Sequence, residues 1–291
     1  MQSEELLREG HLEEALSQLK QQVREDPSKA ELRAFLFQLL SITGDWQRAI
    51  TQLNVAAEMD PEKLVLAEVC RPALNCEALR KEIFTGQKQP LIFGEPDEWV
   101  SWMIEANRLA AQEQYVAAQE LREKAFEASP AIAGTIDDKP FEWIADADTR
   151  LGPILEAIVD GKYFWIPFAR VKEISIEAPA ALWNVVWAQA RFTWANGGEA
   201  AALIPTRYAG SESSDNDTIR LARRTEWTER DGGLFIGLGQ RMLATDRGEY
   251  PLLEVRQVVL EGSQAEPPEG AADESAGEPA AGQAGQEEPD G

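Results

Sequence analysis

Four carboxylates near the middle of the chain are the residues whose types and spacing could support catalysis. Asp137, Asp138, Asp146 and Asp148 all lie in the stretch DDKPFEWIADAD. Paired carboxylates can bind a divalent cation or act as general acid and base. Their order lacks the D-x-D-x-D-G spacing of a calcium loop. A metal-dependent hydrolase using residues 137–148 is therefore the enzymatic alternative. The structural alternative is that Asp146 or Asp148 caps a helix that follows.

The other reactive residue types form no recognisable site. The single histidine, His11, has no obvious partner for a triad or a metal site. Cys70 and Cys76 have five residues between them rather than the two of a zinc or redox pair, so we expect buried thiols. GGLFIGLGQR (232–241) contains Gly-x-Gly without a βαβ context, which indicates strand turns or bulges. We therefore predict a protein that is not an enzyme and has no metal site and no cofactor.

The N-terminal half carries a helical repeat. GHLEEALSQLKQQVREDP (10–27) and GDWQRAITQLNVAAEMDP (44–61) are offset by 34 residues and share their glycine, alanine and Asp-Pro positions. EQYVAAQELREKAFEASP (113–130) keeps the spacing from alanine to proline. This period and punctuation are typical of the tetratricopeptide repeat, a helix–turn–helix unit whose small residues let paired helices approach closely. The match is poor at 62–97, where a degenerate unit is expected.

From about residue 135 the pattern changes to strands. KYFWIPFARVKEISIE (162–177) is rich in aromatic and β-branched residues and predicts strand. Before it, the segment from Leu151 to Val159, ended by Asp160-Gly161, predicts a short helix. The segment 179–198 fits either a helix over 180–188 or a helix that passes into a strand. Further strand-like pieces continue to about residue 262, which together favour a mixed α+β domain.

These observations predict an α+β protein with three parts. Residues 1–134 form an all-α tetratricopeptide-like repeat domain, 135–262 a smaller mixed α+β domain, and 263–291 a disordered acidic tail. The tail contains eight acidic residues, no Lys or Arg, and no aromatic or branched aliphatic residue. Such a composition cannot bury enough apolar surface to offset the entropy lost on ordering. We interpret the tail as a solubilising extension, although acidic tails also serve as decoys or tethers.

The charge of the chain limits its partners. Its formal net charge is −23 at pH 7, from 51 acidic and 28 basic residues. A surface this negative repels phosphate backbones and anionic lipids. We therefore expect neither nucleic acid nor membrane as a partner. It suits a protein with a basic face. The opening MQSEELLREG lacks the apolar core of a signal peptide, which predicts a cytoplasmic protein.

Several blocks resemble the ImpE/TagJ family, whose members are also called HsiE or SciE. The most specific are DTRLGPILEAIVDGKYFWIPF (148–168) and GLGQR (237–241), and ALWNVVWAQA, RRTEW and LLEVRQVVL agree with them. The resemblance covers about residues 1–262. It implies a non-enzymatic accessory protein of bacterial type VI secretion systems. It further implies binding to a helix near the N-terminus of the small contractile-sheath subunit, and a link to sheath assembly or to recycling by the ClpV-type unfoldase, either directly or through that subunit.

Two places in the sequence could bind an amphipathic partner helix. One is the inner face of the repeats, formed by first helices such as ELRAFLFQLL and EWVSWMIEANRL. Its candidate contact residues are Arg33, Phe37, Trp99 and Trp102. The other is the junction with the C-terminal domain. Its candidate contact residues are Trp165, Trp183 and Arg191. A general cochaperone that captures acidic peptides remains an alternative, but it needs a basic groove that these Lys-poor helices do not supply.

Overall fold

A computed structural model of the chain describes residues 2–262. The acidic tail predicted at 263–291 lies outside the described residues. The N-terminal half is helical and the C-terminal half is rich in strands, so the predicted fold class is confirmed.

Paired helices form the N-terminal half. The helices are α1 (Gln2–Glu9), α2 (Leu12–Glu25), α3 (Ala30–Ile42), α4 (Trp46–Met59), α5 (Leu64–Phe84), α6 (Glu98–Ala111) and α7 (Tyr115–Ala128). α1 packs on α2, α3 on α4 and α6 on α7. The repeat alanines Ala15, Ala49 and Ala118 are fully buried. Their small side chains allow the second helix of each pair to lie close to its neighbours, as the repeat pattern predicts.

The segment that matches the repeat poorly contains a single long helix instead of a pair. α5 runs for 21 residues and contains Pro72. The chain then forms the short strand β1 (Leu91–Ile92), which pairs in parallel with Phe164 and Trp165. β1 therefore crosses from the helical half to the edge of the sheet before α6 begins.

Strands build the C-terminal half. The strands after β1 are β2 (Gly134–Ile136), β3 (Lys139–Phe141), β4 (Ile144–Asp146), β5 (Ile154–Val159), β6 (Lys162–Pro167), β7 (Val171–Ile176), β8 (Trp187–Trp194), β9 (Glu199–Pro205), β10 (Thr225–Arg230), β11 (Leu234–Gly239), β12 (Met242–Thr245), β13 (Gly248–Pro251) and β14 (Gln257–Leu260). A nine-stranded sheet is at the centre, with the order β1-β6-β5-β9-β8-β7-β14-β2-β3. β10 and β11 form a separate hairpin, and β13-β12-β4 form a three-stranded sheet. One short helix, α8 (Asp217–Arg220), lies between β9 and β10.

The helix predicted from Leu151 to Val159 is wrong. Residues Ile154–Val159 form β5, which pairs antiparallel with β6. Asp160 and Gly161 connect them with φ angles of 48° and 72°. Two consecutive positive angles define a type I′ hairpin turn, for which Asp-Gly is a preferred sequence. An Asp-Gly pair is compatible with a helix end as well as with a hairpin turn, which is why the sequence alone does not separate the two.

Two further segments differ from the sequence expectation. The segment 179–198 forms a 3-10 helix, Leu182–Val185, followed by β8, so a helix over 180–188 is wrong and the helix-into-strand alternative is closer. TIRLARRTEWTER (218–230) is one of the strand-like pieces before residue 262, but its first residues belong to α8. Asn216 caps this helix, because its side chain accepts a hydrogen bond from the amide of Thr218.

Separate apolar cores lie on the two faces of the large sheet. Ile154 and Ile158 of β5 pack with the helices, whereas Leu155 and Ala157 pack with the strands on the other face. Successive side chains of a strand point to opposite faces. β5 is therefore buried along its whole length, and it shows no apolar–polar alternation in its sequence.

Candidate partner-binding surface

A buried network of charged side chains fixes the helical half to the sheet. Glu156 of β5 accepts hydrogen bonds from Arg80 of α5, with Nε–Oε1 at 2.6 Å and Nη2–Oε2 at 2.9 Å. The hydroxyl of Tyr163 and the guanidinium of Arg241 also donate to this carboxylate. Arg241 in turn binds Asp146. A buried charge is tolerated only when it is paired and hydrogen-bonded, and each member of this network meets that condition.

The two carboxylates that share Arg241 have opposite pKa shifts. Burial alone would raise the pKa of Glu156, but the two guanidinium groups of Arg80 and Arg241 lower it to about 2. Burial raises the pKa of Asp146 to about 6, because Arg241 offsets desolvation only in part and Asp148 lies nearby. Glu156 is therefore the permanent anion of the network.

Further contacts fill the inner side of α3 with residues of the sheet half. The amide of Trp183 donates to Gln38 Oε1 at 3.0 Å, and Arg207 donates to the carbonyl oxygen of Ile42 at 2.8 Å. The 3-10 helix Leu182–Val185 packs directly on α3. The face of the repeats that we considered for a partner helix is thus largely covered, at α3, by the chain itself.

The candidates on the repeats contact their own chain. Phe37 is fully buried and Trp99 is buried. The guanidinium of Arg33 donates to the carbonyl oxygen of Pro27 at 3.1 Å and to Gln52 Oε1 at 3.0 Å. The ammonium of Lys124 lies 3.5 Å from the ring centroid of Trp102, a cation–π contact. Arg33 and Trp102 remain partly exposed, whereas Phe37 and Trp99 are core residues in this structure.

The candidates at the junction also divide by exposure. Trp165 is fully buried, and its indole Nε1 donates to the hydroxyl of Tyr163 at 2.9 Å. Trp183 is buried against the helices. Arg191 is exposed, with Nη1 3.6 Å from Glu199 Oε2. Of the three, Arg191 alone presents its side chain to a partner.

Arg191 lies in a groove of about 410 Å³ between α5 and the part of the large sheet that the helices leave uncovered. We call this the α5 groove. Its helical wall is formed by Glu68, Val69 and Pro72. Its sheet wall includes Ser175, Gln189, Arg191, Ala201 and Leu203.

The α5 groove combines an apolar ridge with an acidic rim. Val65 and Val69 of α5 are 69% and 38% exposed, and with Pro72 they follow the i, i+4, i+7 spacing of one helix face. Three acidic residues, Glu68, Asp160 and Glu177, also line the groove. Arg191 is the one basic residue in this lining. This rim does not provide the Lys/Arg clamp that a cochaperone for acidic peptides requires.

Sequence reasoning missed Val65 and Val69. The sequence analysis places a partner groove either on the first helices of the repeats or at the junction near Trp165, Trp183 and Arg191, and it treats the segment 62–97 only as a degenerate unit. The available signal was a pair of valines next to Glu68 in a helix segment with a poor repeat match. Exposed apolar side chains grouped on one face indicate a binding surface.

Three of the four carboxylates in the stretch 137–148 have structural roles, and the fourth, Asp138, is exposed in the turn between β2 and β3. Asp137 Oδ1 accepts the amides of Arg256 and Gln257 at 2.9 and 2.8 Å. Asp148 binds Arg150 and the amide of Gly237. Neither Asp146 nor Asp148 caps a helix, because β5 follows them. Within residues 2–262 no group of three His, Cys, Asp or Glu side chains is placed to hold a metal ion.

The cysteines and the histidine also have local explanations. Cys70 and Cys76 are buried free thiols, as predicted. Burial raises their pKa to about 12 and about 11, so both stay protonated and unreactive at neutral pH. His11 lies in the turn before α2, with Nδ1 3.9 Å from Glu14 Oε1, and both side chains are exposed.

Comparison with known proteins identifies the family. A family model described as ImpE protein matches residues 138–259, and a tetratricopeptide repeat model matches residues 6–67. The chain is 47% identical over 265 residues to the type VI secretion system accessory component TagJ of Pseudomonas aeruginosa, covering 91% of this chain and 93% of TagJ. The chain belongs to the ImpE family. This membership confirms the resemblance seen in the sequence and supports an accessory role in type VI secretion.

A solved structure has the same fold as this ImpE chain. The crystal structure of protein VPA1032 from Vibrio parahaemolyticus superposes with a TM-score of 0.80 and 26% sequence identity. The match covers 89% of this chain and 97% of that protein. The arrangement of helical repeats and sheet is therefore shared.

The sequence blocks that indicated the ImpE family build the interior. In GLGQR, Gly237 faces Tyr208, where a Cβ would lie 2.2 Å from the ring, and Gly239 has a φ of +93°. Arg241 of the same block joins the charge network, and Asp148 and Glu156 come from the other block. These blocks therefore build the interior for the most part, and Asp160 and Gly161 of the block 148–168 also line the α5 groove.

The helices between residues 2 and 262 are all too short or too polar to traverse a lipid bilayer.

Proposed function

We propose that this ImpE-family chain is a non-enzymatic, cytoplasmic accessory protein that holds the N-terminal helix of the small contractile-sheath subunit in the α5 groove. The single observation that supports the α5 groove as the binding site is the exposed apolar ridge of α5 beside an acidic rim. Membership of the family supports the secretion system as the context. Holding this helix would link the protein to sheath assembly, or to recycling by the ClpV-type unfoldase, directly or through the sheath subunit.

The geometry of the α5 groove suits an amphipathic helix. Val69 and Pro72 line the groove, and Val65 lies one helical turn before Val69 on the same face of α5. Together they form a ridge against which a partner can pack its own apolar stripe. Glu68 and Glu177 border that ridge and would attract Lys or Arg on the flanks of the partner. Acidic rims of this kind accelerate encounter and fix orientation more than they add affinity.

The groove is held open before a partner arrives. α5 is anchored to β5 through Arg80 and Glu156, and Glu77 of α5 accepts a hydrogen bond from Trp187 Nε1 at 2.9 Å. Pro72 lies against the hairpin turn, close to Gly161. A preorganised groove loses less conformational entropy on binding, which favours affinity for a given contact area.

The inner face of the repeats is the other proposed location, with Arg33 and Trp102 as its exposed candidates. It is less supported because the 3-10 helix Leu182–Val185 occupies the inner side of α3. Lys124 also covers part of the Trp102 ring. A partner helix at this face would have to displace contacts made by the chain itself.

The test is calorimetric titration of the full chain with a synthetic peptide of the small sheath subunit's N-terminal helix, taken from the same bacterium. We expect Val69→Glu to weaken binding at least about tenfold, because it removes an apolar anchor and adds a charge beside Glu68. The matched control is Val116→Glu, since Val116 of α7 is 68% exposed but lies outside the groove. Binding that survives Val69→Glu but is lost in Trp102→Ala would place the helix on the repeats. Absence of binding by the folded wild-type chain would refute the proposal.

A further inference from the structure

Strand β10 leaves one long edge of the β10–β11 hairpin unpaired. It pairs with β11 along its whole length, Thr225–Arg230, and no strand among residues 2–262 pairs with its other edge. An unpaired edge presents a row of backbone N–H and C=O groups to which another strand can be added. The edge of β10 is therefore a place where a second chain can bind through its backbone.

The other sheet edges in the described part of the chain are short, interrupted or covered. β1 has two residues, β3 has three and contains Pro140, and β13 has four and ends at Pro251. β4 has three residues, and its Asp146 amide donates to the carbonyl oxygen of Gly152. Short strands and prolines are common means by which proteins protect their edges. By contrast, β10 has six residues, contains no proline and pairs with β11 without a bulge.

The hydrogen bonds around the hairpin indicate which backbone groups of β10 point to the free edge. The amide of Gln240 donates to the carbonyl oxygen of Arg224 at 3.1 Å. Antiparallel strands alternate between residue pairs that exchange hydrogen bonds and pairs that do not. The odd-numbered residues of β10, such as Trp227, therefore direct their backbone groups outward. Gly237, which is opposite Trp227, agrees with this, because its amide donates away from β10 to Asp148 Oδ2 at 2.9 Å.

The side chains of β10 are complementary to a second, antiparallel copy of the same strand. Glu226, Thr228 and Arg230 are the even-numbered residues of β10 and share one face. When two copies of β10 are paired about Thr228, Glu226 of each copy lies opposite Arg230 of the other. Opposite charges at directly facing positions stabilise strand pairing. A two-fold axis repeats every contact, so this register gives two such ion pairs.

The same register joins the backbone groups that point outward. Trp227 of each copy lies opposite Glu229 of the other, and each of these two facing pairs exchanges backbone hydrogen bonds. The Trp227 side chains of the two copies become diagonal neighbours, within reach of each other. Trp227 is 37% exposed, and its ring centroid lies 5.5 Å from that of Tyr208. This side chain is already held against the fold, so its ordering costs little on association.

Registers shifted by two residues are less favourable. Pairing about Trp227 places Arg224 of one copy opposite Arg230 of the other. Pairing about Glu229 places the Glu229 carboxylates of the two copies opposite each other. Like charges at directly facing positions destabilise strand pairing. The sequence of β10 therefore favours the register about Thr228.

We propose that two copies of this chain associate through β10 and form a continuous four-stranded antiparallel sheet, β11-β10-β10-β11, across a two-fold axis. Charge complementarity within one strand favours a second copy over an unrelated partner, because Glu226 and Arg230 pair with each other across the axis. The net charge of the chain opposes this association, because two copies of charge −23 repel each other. At physiological ionic strength the Debye length is about 8 Å, so distant charges are screened far more than the facing ion pairs.

The proposal is tested by sedimentation velocity of the full chain from low to high micromolar concentration at physiological ionic strength. We expect a reversible equilibrium between monomer and dimer. Glu226→Arg should weaken dimerisation at least about tenfold, because it sets two guanidinium groups opposite each other. The matched control is Glu249→Arg, which makes the same charge change at an exposed position of β13 and should not weaken the dimer. Val69→Glu should also leave the dimer intact, which separates this interface from the α5 groove.

Two further variants connect the dimer to β10. Combining Glu226→Arg with Arg230→Glu should restore the dissociation constant to within about threefold of wild type, because opposite charges face each other again. Glu229→Pro should abolish the dimer, because it removes an amide that points to the free edge. The hairpin itself should persist in this variant, because that amide does not pair with β11, and circular dichroism checks that the chain stays folded.

A chain that stays monomeric at high micromolar concentration would overturn the proposal. A dimer that is unaffected by Glu226→Arg, or that persists in Glu229→Pro, would show that the two copies meet elsewhere and would overturn it as well. The same holds if the combined variant dimerises no better than Glu226→Arg alone, because the facing ion pairs would then be absent.

Discussion

Asp146 and Glu156 share the guanidinium of Arg241, but their pKa values shift in opposite directions because their other partners differ. Glu156 has a second guanidinium, that of Arg80, and the hydroxyl of Tyr163. Among residues 2–262 the side chain of Asp146 accepts hydrogen bonds from Arg241 and from the amide of Asp148 only. Desolvation therefore outweighs pairing at Asp146 and is outweighed at Glu156. The number of donors, more than burial itself, decides which carboxylate carries the charge.

The raised pKa of Asp146 predicts an unusual pH dependence. In the folded chain Asp146 holds its proton up to about pH 6, whereas in the unfolded chain it ionises near its ordinary value of 3.8. Between these values the folded state binds more protons, so the contribution of Asp146 to stability falls as pH rises. We expect urea unfolding to show a decrease in unfolding free energy from about pH 4.5 to 7, and this decrease to be smaller in Asp146→Asn.

The pKa of Glu156 shifts in the opposite direction, so its contribution to stability has the opposite pH dependence. It serves as an internal comparison. Its lowered pKa contributes stability above about pH 4.5 that is lost as pH falls toward 2. Asp146→Asn should leave this loss of stability at acid pH unchanged, because Arg80 still pairs with Glu156. If the free energy of unfolding of Asp146→Asn changed between pH 4.5 and 7 as it does in wild type, the raised pKa of Asp146 would be contradicted.

At the scale of elements, the sequence predicted the repeats better than the strands. The alanine and the proline recur at the same spacing in the units 10–27, 44–61 and 113–130, because the helices of each unit pack in the same way. This spacing is visible in the sequence. β5 carries no such signal, because it is buried on both faces and has no alternation. The α5 groove was not predictable either, since it depends on which part of the sheet α5 leaves uncovered.

The Asp160-Gly161 turn gives a test at this scale. Gly161 has a φ of +72°, and a Cβ there would lie 3.1 Å from Cβ of Pro72 in α5. We expect Gly161→Val to lower the free energy of unfolding by about 2 kcal/mol, from backbone strain and crowding against α5. Thermal or urea unfolding measures this change.

Asp160→Asn is the matched control for the turn. Asn-Gly forms the same type I′ turn as Asp-Gly, and Asp160 is exposed, so stability should stay within about 0.5 kcal/mol of wild type. If Gly161→Val were as stable as Asp160→Asn, the contact between the hairpin turn and α5 would not constrain the fold. The argument that this contact helps to hold the α5 groove open would then lose its support.

At the scale of the whole molecule, the helices share one of the two apolar cores with a face of the large sheet. The cluster that contains Leu39 and Leu74 of the helices also contains Ile154 and Trp187 of the sheet. The charge network crosses the same boundary between Arg80 and Glu156. The boundary predicted at 134/135 falls at the start of β2, and both the apolar cluster and the charge network extend across it.

We therefore expect residues 1–134 expressed alone to lack a cooperative unfolding transition. The fragment would expose the apolar side of α3 and α5 and leave the Arg80 guanidinium without Glu156, which is costly for a group buried in the full chain. Circular dichroism during heating measures the transition, with the full chain as the reference. Mixing with residues 135–262 should restore cooperativity, because the two pieces rebuild the shared core. A sharp transition of the isolated helical fragment, at a midpoint near that of the full chain, would show instead that the repeats form an autonomous domain and that the α5 groove lies at a movable junction.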